Sequence, residues 1–244
     1  MQGKNNWKDI WNKREDFFHK IDCNDKKQMF LELKRIDGFD VIDNGITYNG
    51  FLRQYVETKK DLHLNEGDSI FEVGCGAGAN LYLFHQDKIK IGGLDYSNRL
   101  IGILKKVFKS DVLIECLCEE AIDCPTNIKY DVILSNSVFS YFPDHSYAEQ
   151  VLKKMLEKTR KSIGLVDIFD QDKKVDFIKF RYDNIKDYEE RYKNLPKLFY
   201  TKKFFIDFAH KNNVDIYFNN YDVEGYWNNG FSFNCFMYVN KSKV

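Results

Sequence analysis

"SIFEVGCGAGANL", residues Ser69 to Leu81, is the stretch that decides the fold. An apolar run ends at Glu72, and three glycines alternate with cysteine and alanine just behind it. "SIFEV" has the length and composition of a short buried strand, and "ANLYLFHQ" beyond the glycines reads as a helix. Glycines between a strand and a helix let the backbone turn tightly and pass close to a ligand. The helix N-terminus behind them offers free N–H groups. The stretch therefore predicts a ligand site at the carboxyl end of a sheet.

Outward from that turn, strand and helix alternate. "KIGGLD" (90–95), "DVLIEC" (111–116), "YDVILSN" (130–136) and "SIGLVDIF" (162–169) read as four more strands. "SNRLIGILKKVFK" is a helix with Leu100, Ile103, Leu104, Val107 and Phe108 on one face. "SYAEQVLKKMLEKTR" is another, with Ser146 and Glu149 at capping-box spacing. Apolar runs without strict alternation indicate a parallel sheet covered on both faces. The tail changes character: after the helix "TKKFFIDFAHKNN", the strands "VDIYFNN" and "FSFNCFMYVN" have little helix between them and predict an antiparallel edge pair. The expectation is a doubly wound α/β fold, with a seven-stranded, mostly parallel sheet. One domain (1–244) divides into an N-terminal helical cap (1–62), a cofactor-binding core (63–168), a helical lid inserted after strand five (170–200) and a closing helix with edge strands (201–244). Within the cap, "WKDIWNKREDFF" and "NGFLRQYVETKKDL" carry helical spacing, and "IDNGITYNG" (42–50) between them is a loop.

Composition narrows the function. Lysine plus arginine equal aspartate plus glutamate at 37 each, so no basic surplus points to nucleic acid. No apolar run reaches the roughly 18 residues of a membrane span. The start "MQGKNNWKDIWNKR" has no apolar signal core, which predicts a cytoplasmic protein. Cys23, Cys75, Cys116, Cys118, Cys124 and Cys235 contain no Cys-x2-Cys pair and are expected to be plain thiols, with no metal bound. Nothing in the sequence sets an oligomeric state.

Two cofactor readings compete at the glycine turn. Gly74, Gly76 and Ala79 fit the dinucleotide pattern G-x-G-x-x-G/A, with Asp95 about 20 residues on. Gly74, Gly76 and Gly78 also give G-x-G-x-G with Glu72 two residues ahead. A carboxylate there repels a pyrophosphate and suits a ligand carrying an ammonium and a sulfonium.

At this point the sequence resembles a known family, the class I S-adenosylmethionine-dependent methyltransferases, most clearly over residues 45–168. "FEVGCGAG" is similar to its first motif, "LDYS" to its second and "YDVILSNSVFSYF" to its fourth. The resemblance implies that Gly74, Cys75 and Gly76 approach the methionine part of the cofactor and that Glu72 holds the loop and reaches the amino group. It implies that Asp95 accepts the ribose hydroxyls and that Tyr96 packs on the adenine. Glu119, or alternatively Glu120, meets the adenine amine, although "CLCEEA" departs from the family's usual Asp-Ala pair. Ser135 and Asn136 end strand four beside the transferable methyl. Tyr48 is a candidate to cover the cofactor, and Arg53 to pair with its carboxylate.

Methyl transfer is an in-line displacement that mainly needs alignment and exclusion of water. A base is required only for a nucleophile with a proton of high pKa, so no catalytic signature is expected. His145 is the candidate base and Tyr141 a candidate wall of the acceptor pocket. Arg181, Tyr182, Arg191 and Tyr192 are the candidate acceptor residues of the lid, because arginines with aromatics suit an anionic or sugar-bearing molecule. The favoured acceptor is a small polar metabolite: a sugar, a nucleotide-linked intermediate, or a phosphate or phosphoramidate of surface polysaccharide. An RNA or protein methyltransferase is the alternative, followed by a binding protein without turnover and an NAD oxidoreductase.

Overall fold

The computed structural model describes residues 6–40 and 45–240. The first three residues of the 42–50 loop reading, 42–44, lie outside the described residues. Seven strands form one sheet: β1 (Ser69–Val73), β2 (Lys90–Leu94), β3 (Leu113–Leu117), β4 (Tyr130–Asn136), β5 (Thr159–Phe169), β6 (Val214–Asn219) and β7 (Ser232–Val239). Their order is β3-β2-β1-β4-β5-β7-β6. Strands β1 to β5 pair in parallel, and β7 runs antiparallel to both β5 and β6. This is the expected architecture. The order reverses at β1, which places the carboxyl ends of β1 and β4 at the topological switch point, where open sheets hold ligands.

Nine α-helices lie among the described residues. Three precede the sheet: α1 (Asn6–Asn12), α2 (Lys26–Ile36) and α3 (Tyr48–Asp61). The connections between strands carry α4 (Ala79–Gln86), α5 (Asn98–Val107) and α6 (His145–Lys158). The segment after β5 holds α7 (Lys174–Asn184) and α8 (Tyr188–Arg191), and α9 (Lys202–Asn212) leads into β6.

Alternate residues of the strands feed two cores, as the strand period of two requires. Phe71, Ile133 and Leu165 pack with α6 and α9 through Val151, Leu152, Phe205 and Phe208. Ile70, Val132 and Val166 pack with α4 and α5 through Leu81, Phe84, Ile101 and Leu104. A third cluster lays Phe30, Leu33 and Ile36 of α2 on Ala77, Ala79 and Leu83 of the glycine turn and α4. That contact brings the cap to the ligand end of the sheet.

Three local expectations change. The first predicted helix stops at Asn12. Helix α6 starts at His145, because Asp144 accepts the Tyr147 N–H at 2.8 Å and is the cap, so Ser146 lies inside the helix. Strand β5 begins at Thr159, three residues before the apolar run, because Thr159 Oγ1 donates to the Asp131 and Ser162 carbonyls.

Candidate active site

The glycine turn is built by sterics. Gly74, Gly76 and Gly78 have φ of +75°, +55° and +90°, in the left-handed region that side chains resist. A Cβ on Gly74 would stand 2.4 Å from Val138 Cγ2, and one on Gly76 would stand 2.3 Å from Asp37 Oδ1. The N–H groups of Gly74 and Cys75 both donate to Leu94 O, which clamps the turn to the end of β2. Cys75 itself is buried, and its side chain faces Gly93.

Asp95 lies at the end of β2 and is buried. Its Oδ2 accepts the Gly76 N–H at 3.0 Å and its Oδ1 the Ser97 N–H at 2.8 Å. Each carboxylate oxygen keeps a lone pair for a further donor, so a diol still fits. Asp95 therefore also holds the turn, a task the sequence did not reveal.

Glu72 Oε1 accepts from Asn80 Nδ2 at 2.6 Å, while Oε2 is buried and has no partner. The third acid, Asp37, comes from the end of α2 and accepts the Ala77 N–H at 2.7 Å. Burial pushes the Asp37 carboxyl up to about 7, Glu72 up to about 8 and Asp95 up to about 6. Lys34 of α2 is buried beside them and donates to Asn80 Oδ1 at 2.9 Å. Burial pulls its amine below the ordinary lysine range, against the opposing pull of Asp37 and Glu72. Two buried carboxylates and the half-buried Asp37, against one amine, make a pocket short of positive charge. S-adenosylmethionine fits it, with an ammonium and a sulfonium to supply that charge and Lys34 to meet its carboxylate. A pyrophosphate does not fit.

The adenine side is closed by α1. Tyr96 is half-buried, and its hydroxyl is buried without a partner. Lys8 lies 5.3 Å from the centroid of the Tyr96 ring and pairs with Glu120 at 3.3 Å. Asn12 Oδ1 accepts from Ser97 Oγ at 2.7 Å. Glu119 is exposed, and its alternative Glu120 is half-buried beside Lys8.

Other candidates fall differently. Arg53 is exposed on α3. Tyr48 packs edge-on against Phe30 inside the cap, with ring centroids 5.8 Å apart. Ser135 is buried and donates to Val73 O at 3.0 Å, so it ties β4 to β1. Asn136 is half-buried, accepts from Ser137 Oγ at 3.1 Å and lines a small cavity together with Lys34 and Asn80.

The carboxyl ends of β4 and β5 hold a second polar centre that the sequence did not announce. Asp167 is buried, with φ of +62°. Its Oδ2 accepts from Ser137 Oγ at 2.8 Å, Tyr226 OH at 2.6 Å and Asn228 Nδ2 at 2.8 Å. Arg181, buried on α7, donates through Nη2 to Asn228 Oδ1, and its Nε has no partner. Burial pulls the Arg181 guanidinium below its ordinary range. Tyr192 stacks towards Trp7 at 6.2 Å, whereas Arg191 is exposed and Tyr182 is 51% exposed. The lid thus turns one arginine and one tyrosine inward and leaves the other two in solvent. A cleft of about 680 Å³ lined by Tyr182 to Lys193 lies within the lid, apart from the glycine turn.

Tyr141 is half-buried on a 3-10 turn after β4, with Trp7 and Trp11 edge-on at 4.8 and 5.6 Å. His145, foreseen as a base, is exposed at the start of α6. Its Nε2 donates to Phe199 O at 3.0 Å, and its ring packs on Tyr200 and Phe204. That bond fixes the lid's return to the start of α6.

Residues 71–162 match the family model described as a methyltransferase domain. None of the curated proteins matches the sequence. Among solved structures, the chain is similar to the plantazolicin methyltransferase BpumL in complex with a pentazolic desmethylPZN analog and SAH. The TM-score is 0.61 at 15% identity, over 99% of this chain and 100% of that one. It is also similar to magnesium protoporphyrin IX methyltransferase (ChlM) from Synechocystis PCC 6803 with bound SAM, with a TM-score of 0.58 at 12% identity, over 88% and 98% of the two chains. A third similar structure is an S-adenosylmethionine-dependent methyltransferase from Clostridium acetobutylicum ATCC 824, with a TM-score of 0.58 at 11% identity, over 90% and 100%. No helix among the described residues is long and apolar enough to cross a membrane.

Proposed function

We propose that this chain, a class I S-adenosylmethionine-dependent methyltransferase, moves a methyl group to an oxygen or nitrogen of a small polar molecule. The observation that carries this reading is the enclosed centre at the ends of β4 and β5: Asp167 with its three hydroxyl and amide donors, and Arg181 with an unpartnered Nε. A buried guanidinium N–H without a partner is costly unless a ligand oxygen meets it. A phosphate, carboxylate or sugar hydroxyl supplies such an oxygen. Trp7 Nε1 donates to Pro196 O at 2.9 Å, so the N-terminal helix is tied to the segment after β5.

The bound cofactor supplies a methyl carbon activated by its sulfonium. The chain's own residues align and shield. Asp95, Glu72, Asp37 and Lys34 hold the cofactor's polar groups; Asp167 and Arg181 orient the acceptor; α1 and the lid exclude water. Sugar phosphates and nucleotide-linked sugars of surface polysaccharide are the first acceptors to try. An activity screen with labelled cofactor over sugars, nucleotide sugars and phosphate esters tests the reading. Turnover on one of these compounds supports it, and labelling of RNA or protein acceptors alone overturns it.

A further inference from the structure

Lysine is common in this chain; Lys34 and Lys158 are buried and Lys197 is half-buried, and their amines are held in different ways. Lys158 pairs with Glu115 at 2.7 Å and donates to Pro125 O at 2.8 Å. Lys34 donates to Asn80. Lys197, on the lid strand that returns to β5, has neither a hydrogen bond nor an ion pair among the described residues. Its amine lies 3.4 Å from the ring centroid of Tyr141, 4.3 Å from that of Trp7 and 5.6 Å from that of Phe169. Enclosure by these rings, with the Arg181 guanidinium nearby, pulls the amine well below the ordinary lysine range, and Asp167 opposes that pull only in part.

Helix α1 sets the place of this cage. Trp7 and Trp11, four residues apart, face Tyr141. Lys8 and Asn12, each one position further on, face Tyr96 and Ser97 on the cofactor side. The cage and the Tyr96 side therefore lie on two adjacent faces of α1, since residues four apart share a face and the two pairs differ by one position. The turn that carries Tyr141 also carries Val138, which packs on Gly74 of the glycine loop. The lid strand is fixed to the same turn, where Leu198 N–H donates to Ser140 O at 2.8 Å.

We propose that Lys197 is itself a methyl acceptor, and that the protein methylates this lysine in addition to its diffusible substrate. The amine lone pair attacks the methyl carbon of S-adenosylmethionine. The carbon–sulfur bond breaks, its electron pair stays on sulfur, and S-adenosylhomocysteine leaves. The new secondary ammonium passes one proton to water. An ordinary lysine, protonated near neutral pH, has no lone pair to offer. The same cage suits the product, because aromatic faces hold methylated ammonium groups by cation–π attraction.

The proposal rests on the cofactor reading above, and its test separates the two. The full chain is incubated with S-adenosylmethionine alone, and peptides are read by mass spectrometry; binding is followed by calorimetry on the same sample. A stoichiometric gain of one methyl on the peptide containing Lys197, absent in Lys197→Met and in heat-unfolded protein, is the expected result. Independently, carbon-13 NMR of the lysine side chains in the cofactor-free protein should show the signal lost in Lys197→Met titrating below the ordinary lysine range. Cofactor binding without methylation of Lys197, or methylation spread over surface lysines, overturns the proposal alone. A lysine signal that titrates in the ordinary range also overturns it. Absence of cofactor binding overturns the reading beneath it, and the proposal with it.

Discussion

The two halves of the sheet's carboxyl edge are built from opposite materials. At the ends of β1 and β2, buried Glu72 and Asp95 and half-buried Asp37 set three carboxylates around a backbone turn, against one amine. At the ends of β4 and β5, the Arg181 guanidinium, the ring-lined Lys197 amine and aromatic rings stand around one carboxylate, Asp167. The first half awaits a cation, and the second awaits something neutral or anionic. Bringing a cationic methyl donor to a polar acceptor needs such a division, because each ligand then prefers its own side.

The largest effect should come from the turn itself. Gly74→Ala forces a side chain into left-handed backbone, costing roughly 1–2 kcal/mol. It also drives a Cβ to 2.4 Å from Val138, and overpacking of this kind costs roughly 1–3 kcal/mol more. Denaturant unfolding should show that loss, and cofactor binding should vanish. A variant as stable as the wild type with intact binding would show that the loop is not the seat of the cofactor.

Asp95→Ala comes next. It removes the acceptor of two backbone N–H groups and of the ribose, at roughly 1.5–3 kcal/mol per charged hydrogen bond before water compensates. Because two of those bonds hold the turn, stability and affinity should fall together, with Asp95→Asn intermediate. Calorimetric affinity and melting temperature on both variants check this, and an unchanged dissociation constant would remove Asp95 from the site.

Arg181→Lys tests the other half. It keeps the charge and loses the fork, so the acceptor's KM should rise about tenfold, the worth of one neutral-to-charged hydrogen bond. Cofactor affinity should stay near wild type. Equal losses on both ligands would dissolve the division between the halves. His145→Ala should do least: about 0.5–1.5 kcal/mol of stability for one hydrogen bond, with kcat unchanged. A large fall in kcat, with its pH profile altered, would restore His145 as the base.

The halves also differ in how far the sequence exposed them. The cofactor half is written mostly in consecutive residues. A strand, Glu72, three glycines and a helix form one local unit, and Asp95 closes the next strand. Strand order and the edge pair followed from the same local periods. Asp37 escaped notice because it lies 40 residues before the Ala77 N–H it meets, at the end of an ordinary amphipathic helix. The acceptor half is assembled from distant segments. Asp167 meets Asn228 across 61 residues, and Trp7 meets Pro196 across 189. No local spacing encodes such contacts, so Arg191 and Tyr182 looked as plausible as Arg181 and Tyr192 until α7 and α8 fixed which side faced inward. The contact of His145 is of the same kind: its partner, Phe199 O, is a backbone group with no sequence signature.

The central claim is that the β1–β2 end is an acidic receptor for a cationic methyl donor. The folded-state values of about 7, 8 and 6 for Asp37, Glu72 and Asp95 all lie above the ordinary values of 3.8 and 4.5. Between those limits the folded chain holds more protons than the unfolded one. Stability of the free protein therefore falls as pH rises from about 4 to about 8. A cation favours the ionised acids, so cofactor binding must tighten over the upper part of that window and release protons. Calorimetric titration with S-adenosylmethionine at pH 6 and pH 8, in buffers of different ionisation heat, measures both quantities at once. The account predicts tighter binding at pH 8, with net proton release at pH 6. Affinity that does not change with pH, or tight binding of NAD with no response to S-adenosylmethionine, would contradict it.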